Sequence, residues 1–144
     1  MVISGVWHQC DDGIVRPVVP AEVLASDGSW VKAPFLLDTG ADRTVLSSDI
    51  LTALRQPSLH RQDRLGGIGG EIASVNIETQ IRLTRENNAK VILRGHYAGV
   101  TETSALDMSV LGRDVLNLFV VIVDWSQQVI CLVGQRHGYT ILQQ

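Results

Sequence analysis

The sequence predicts a mainly β domain, closed or sandwich-like, with one or two short helices. Three observations carry that expectation. Through residues 71–83, Ile72, Val75, Ile77, Ile81 and Leu83 recur closer to the period of a strand than to that of a helix. Short apolar runs elsewhere are separated by turn residues such as "SDGS" and "TRENNA". The chain of 144 residues is even in composition, without a Pro- or Ser-rich linker, and is long enough for one hydrophobic core but not for two. A single domain over 1–144 is expected, with its core at about 14–133 and a C-terminal tail at 134–144.

In chain order, "IVRPVVPAEVLA" (14–25) and "WVKAPFLL" (30–37) flank Asp27-Gly28, a pair that tolerates positive φ, and so read as a hairpin. Pro17 and Pro20 place its first arm at a sheet edge or interrupt it. Ser47 or Ser48 can cap a helix over "DILTALR", with Ile50, Leu51 and Leu54 on one face and Pro57 limiting its extension. "KVILRGHYAGV" follows the long alternating strand. A second helix begins at Arg113 in "RDVLNLF" and buries Val115, Leu116 and Phe119. "VVIVDW" and "QVICLV", joined by "SQQ", form a closing hairpin.

Composition excludes several classes. A net charge of -3, with twelve scattered Lys and Arg, offers no footprint for nucleic acid or an anionic membrane, so the expected partners are proteins or peptides. "LFVVIV" (118–123) is far too short to cross a bilayer and reads as a buried strand. The N-terminal residues have neither a basic start nor a long apolar stretch, and a cytoplasmic protein is expected. Cys10 and Cys131 fit no metal or redox spacing and read as two free buried thiols rather than a disulfide. The four histidines are dispersed, so no metal and no cofactor are assigned.

Three segments carry chemistry. "LLDTGADRTVL" (36–46) runs an apolar strand into Asp38-Thr39-Gly40, putting a carboxylate where the backbone turns near the interior. Asp38 there either caps its turn by accepting backbone N–H bonds or has work to do. "DRLGGIGGEIAS" sets four glycines around Ile68 between strand-like segments: a loose surface turn, or a hairpin tip that approaches a ligand closely. In "MSVLGRDVLNLF" a strand through Val110 and Leu111 meets Gly112 and then a helix.

Taken in this order, the three segments resemble the retropepsin family of retroviral-type aspartic proteases, over about residues 30–119. The resemblance implies a single-domain closed β-barrel of the acid-protease fold, nearer to cellular and bacterial members than to compact viral ones, and active as a homodimer. It implies that Asp38 is catalytic, and that Thr39, Gly40, Ala41, Asp42 and Arg113 support it. Thr39 would bond across to the partner loop, Gly40 would permit the tight backbone, and Asp42 would pair with Arg113 in a buried or half-buried ion pair. Gly66, Gly67, Ile68, Gly69 and Gly70 would form a flap closing over an extended peptide.

Two carboxylates sharing one proton are what this chemistry requires: the ionised one takes a proton from water while the neutral one hydrogen-bonds the peptide carbonyl. The chain holds a single Asp-Thr-Gly, so the second carboxylate must come from another copy. Ala41, where pepsins commonly carry a hydroxyl, removes one donor to the carboxylate and implies a less acidic optimum. Arg43 stands where viral enzymes often have an acid, which would alter the preference for substrate charge, and Glu71 stands where viral flaps often carry an aromatic. Val45, Leu46, Val110 and Leu111 are expected in the core or in pocket walls. The residues after the second helix suggest a dimer interface built from the hairpin of Val121 and Ile130 rather than from short interleaved termini.

Two other readings fit the sequence less well. One is a retropepsin-fold module that binds peptides or dimerises without cutting. The other, a carbohydrate- or nucleotide-binding barrel, would need a phosphate-cradling loop that opens a helix, whereas "GGIGG" is followed by a strand.

Overall fold

The computed structural model of the chain describes residues 1–56, 59–67 and 70–134. In order the elements are β1 (Val2–Ser4), β2 (Val6–Gln9), β3 (Val15–Val19), β4 (Glu22–Leu24), β5 (Trp30–Lys32), β6 (Phe35–Leu37), β7 (Val45–Leu46), α1 (Ser48–Leu54), β8 (Leu59–Gly67), β9 (Gly70–Thr84), β10 (Lys90–Val100), β11 (Ser109–Leu111), α2 (Arg113–Leu116), β12 (Phe119–Asp124) and β13 (Val129–Gly134). The large sheet runs β2-β3-β6-β11-β7-β10-β9-β4-β5, with β8 paired to β9. A separate sheet has the order β1-β13-β12. Among the described residues no helix is long and apolar enough to cross a membrane.

The predicted first hairpin is present, with a corner in each arm. Val18 and Val19 of β3 face Leu36 and Phe35 of β6, and past the corner Glu22, Val23 and Leu24 face Lys32, Val31 and Trp30. Ala33 N–H donates to Ala21 O at 2.9 Å, keeping one register through the bend. The bend falls where Pro20 and Pro34 stand opposite each other in that register. Neither has an N–H, so the ladder lapses there and both arms can turn together. Beyond it β4 pairs with β9, where Arg82 Nη2 and Nε donate to Glu22 at 2.8 and 3.1 Å and the Arg82 guanidinium lies 4.2 Å from the Trp30 ring centre.

One bent hairpin therefore contributes to both ends of the large sheet. The expected closed barrel is a half-barrel among the described residues: its two ends are joined through the Pro20 and Pro34 corners, not by a ladder between β2 and β5. Pro17 does not mark a sheet edge, because β3 lies between β2 and β6. It pairs with Trp7 alone, beyond the β3–β6 ladder, where a missing N–H costs little.

Phe35, Leu46, Ile81, Leu83, Leu111 and Leu132 are fully buried in the main core, each such side chain contributing about 2 kcal/mol by leaving water. That core reaches nearer the N-terminus than residue 14, since Ile3 of β1 is buried in it. A smaller cluster of Val45, Ala98, Val100 and Val110 packs apart from it.

Four local expectations are corrected. Ser47 holds the N-cap position of α1 without a side-chain cap, because its backbone N–H donates to Ser109 Oγ at 2.9 Å and its hydroxyl faces the same group. The second helix stops at Leu116, so Phe119 is buried as the first residue of β12 and not on a helix face. Cys10 and Cys131 are free thiols, but only half-buried. The run at 118–123 is not a buried strand: Leu118 is exposed in the turn before β12, and Ile122 and Val123 are exposed on β12, the outer strand of its sheet with β13 on one side only. Ile130, by contrast, is buried in the chain's own core. The limit expected at Pro57 lies outside the described residues.

Candidate active site

β6 and β11 run parallel, pairing Phe35 with Ser109, Leu36 with Val110 and Leu37 with Leu111, so the two loops that follow them leave the sheet at the same edge. Phe35 and Leu37 point into the core and anchor the strand, and Asp38 is the next residue. Its N–H donates to Leu111 O at 3.2 Å, and Gly40 N–H donates to Asp38 Oδ1 at 2.9 Å. A Cβ on Gly40 would lie 3.2 Å from the same carboxylate oxygen. Asp38 is half-exposed at the mouth of a cleft, so its carboxylate is both held and reachable by solvent.

The loop after Asp38 crosses directly beneath the turn after β11. A Cβ on Gly112 would fall 2.4 Å from the backbone carbonyl carbon and oxygen of Arg43, a contact that no side chain can relieve because the obstacle is backbone. Glycine is there for close approach. Arg113 N–H donates to Ala41 O at 2.8 Å, Asp114 N–H donates to Asp42 O at 3.2 Å, and Gly112 N–H donates to Thr44 Oγ1 at 3.1 Å. Asp114 Oδ1 accepts from Thr44 N–H at 2.9 Å, Thr44 Oγ1 at 2.7 Å and Val115 N–H at 2.9 Å.

Thr44 is fully buried, so a hydroxyl that accepts from Gly112 and donates to Asp114 leaves no polar atom of that side chain unmatched. Sequence reasoning missed both Thr44 and Asp114. A threonine inside the apolar run "TVL" was the available signal, since a buried hydroxyl needs partners.

Arg113 Nη1 donates to Thr39 O at 3.1 Å, and Nη2 pairs with Asp42 Oδ1. This ion pair was expected buried or half-buried. Instead the Asp42 side chain is 81% exposed and that of Arg113 46%, because α2 reaches the loop from the solvent side. Thr39 and Gly40 are likewise exposed. The glycine hairpin is built by β8 and β9, with Gly66 facing Glu71 and Gly67 facing Gly70. Gly70 has a φ of 107°, a conformation that side-chain-bearing residues rarely adopt. Ile68 and Gly69, between them, lie outside the described residues.

The cleft has two adjoining parts that share Ala41, Val45, Leu65 and Gly66. The apolar part, about 430 Å³, holds Asp38 and is walled by Val45, Leu65, Ile72, Val100, Leu106 and Val110, with Glu71 at its side. The second part, about 570 Å³, adds Gly40, Asp42 and Arg43. Val45 and Val110 thus serve as both wall and core, whereas Leu46 and Leu111 are core alone.

A half-barrel with one aspartate at the end of an inner strand, set over an apolar cleft, defines the retropepsin-like class of fold. The chain belongs to the retroviral aspartyl protease family, whose model matches residues 15–122. Two solved structures share the fold. A retropepsin-like aspartic protease from Rickettsia conorii aligns with a TM-score of 0.58 at 21% identity, covering 92% of this chain and 88% of that one. EIAV protease complexed with the inhibitor HBY-793 aligns with a TM-score of 0.50 at 22% identity, covering 71% of this chain and 86% of that one. No curated protein matches the chain significantly.

Proposed function

We propose that the chain is one half of a homodimeric aspartic endopeptidase, with Asp38 and the Asp38 of the second copy sharing one proton across a two-fold axis. The observation that carries this reading is the position of Asp38: half-exposed, beside an apolar cleft, on a loop whose backbone is pinned from below by Gly112, Arg113 and Asp114. A carboxylate that only capped its turn would need no such cleft.

One carboxylate cannot be ionised and protonated in the same step. In the paired site the ionised Asp38 removes a proton from water as the oxygen attacks the peptide carbonyl carbon, and the protonated one hydrogen-bonds the carbonyl oxygen as it gains charge. The C–N bond then breaks with that proton passing to the leaving nitrogen. Gly66 to Gly70 would lie over the peptide backbone as a flap, and Thr39, exposed on the single subunit, would meet its counterpart in the other. The apolar walls favour apolar side chains beside the scissile bond. The surface that would meet the second copy is the outer side of β12 and its turn, where Ile122, Val123 and Trp125 are 44%, 46% and 57% exposed.

The test is peptide-library cleavage with solution mass measured over a dilution series. Asp38→Asn should keep the dimer and lose cleavage by about three orders of magnitude or more, as expected when a group essential to proton transfer is removed. Cleavage that persists in a demonstrated monomer would contradict the shared site. An intact dimer that cuts no peptide would instead support a binding module.

A further inference from the structure

The two parts of the cleft differ in charge. Asp38 and Glu71 border the apolar part, so an acidic side chain entering it meets repulsion. Arg43 borders the other part, and the one carboxylate beside it there, Asp42, is already paired with Arg113. Among the described residues Arg43 has no carboxylate partner. Its side chain is half-buried, and Nη2 donates to Asn76 Oδ1 at 2.8 Å, which fixes the guanidinium by one corner. A guanidinium has five N–H donors, so most of its capacity for a carboxylate is unused.

We infer that this part of the cleft selects an acidic side chain: Arg43 is a specificity-determining residue that takes Asp or Glu two positions from the apolar residue held beside Asp38. The spacing follows from the backbone of an extended peptide, in which residues i and i+2 face the same wall and so reach adjoining pockets. The orientation already set by Asn76 lowers the ordering cost when the carboxylate binds. This inference rests on the protease reading, whose substrate class it names.

The experiment uses matched quenched peptides with one apolar residue held constant and Glu, Gln or Lys two positions away on either side. These are assayed with the parent protein, Arg43→Gln and Arg43→Glu, whose folding is checked by thermal melting. The parent should favour Glu over Lys in kcat/KM by about tenfold or more, equivalent to roughly 1.4 kcal/mol, and less at high salt. Arg43→Gln should reduce that ratio, and Arg43→Glu should invert it.

Equal rates for Glu and Lys, or a Glu preference that survives Arg43→Glu, would overturn the inference. If no peptide is cut the protease reading fails by itself. The charge preference is then decided by fluorescence anisotropy of the same peptides on the Asp38→Asn protein, where equal affinities for the Glu and Lys peptides, or no binding, would overturn it.

Discussion

The Asp38 loop and the β12–β13 hairpin lie at the two ends of α2, yet one has its bonding partners within the chain and the other leaves an apolar surface uncovered. At the N-terminal end of α2, polar groups are matched within the chain: the buried Thr44 hydroxyl accepts from Gly112 N–H and donates to Asp114, and backbone crosses backbone with no room for a methyl group. At the other end, apolar groups turn outward along a strand paired on one side only. The packing beneath the first region is complete within the chain. The second presents a surface of the kind that a further protein layer covers, since an exposed apolar strand edge is otherwise an aggregation hazard.

That contrast can be broken most severely at Gly112. Gly112→Ala drives a methyl into the Arg43 backbone, and a loss of about 3 kcal/mol or more is expected from such overpacking, read as a lower urea midpoint. A variant as stable as the parent would show that the crossing can open.

Tyr97 offers a smaller test nearby. Burial, and secondarily the charge of Asp114, push its phenol up to about 12 from an ordinary 10. Its contribution is therefore intact below pH 10, where both folded and unfolded states are protonated, and is lost as pH rises from 10 toward 12, where only the unfolded chain ionises readily. Tyr97→Phe should flatten the alkaline loss of stability over that window. At neutral pH it should cost about 1 kcal/mol for the bond from the hydroxyl to Leu93 O. Urea midpoints at pH 7 and pH 11 read both.

The smallest effect on the subunit is expected on β12. Replacing Ile122 and Val123 together by Lys should change subunit stability by about 0.5 kcal/mol or less per site, because both side chains are already exposed. It should nonetheless weaken self-association. Sedimentation over a concentration series checks this, and an unchanged association would move the interface elsewhere.

Much of the fold was legible where pattern and burial coincide. The alternation of Ile77, Ile81 and Leu83 identified β9, and Asp27-Gly28 identified the first hairpin. The strands at Val2–Ser4 and Val6–Gln9 were not visible because runs of three and four residues carry too little periodicity. The exposure of β12 was unreadable for a different reason. An apolar run has the same letters whether its own chain covers it or not. At the site, Asp38 and Gly112 could be placed by local motif, whereas the Thr44–Asp114 bond joins residues 70 apart and has no local signature.

The parallel pairing of β6 with β11 also has a consequence for the order of events in folding. The first hairpin is local and can close within microseconds, but the bonds that tie the loop bearing Asp38 to the end of β11 and to α2 come from residues up to 74 positions downstream. On the ribosome, a nascent chain could already hold its corner at Pro20 and Pro34 while Asp38 still lacked those supports. Any cutting ability would then be withheld until residues 111–114 had been synthesised and docked, a built-in delay that needs no inhibitor.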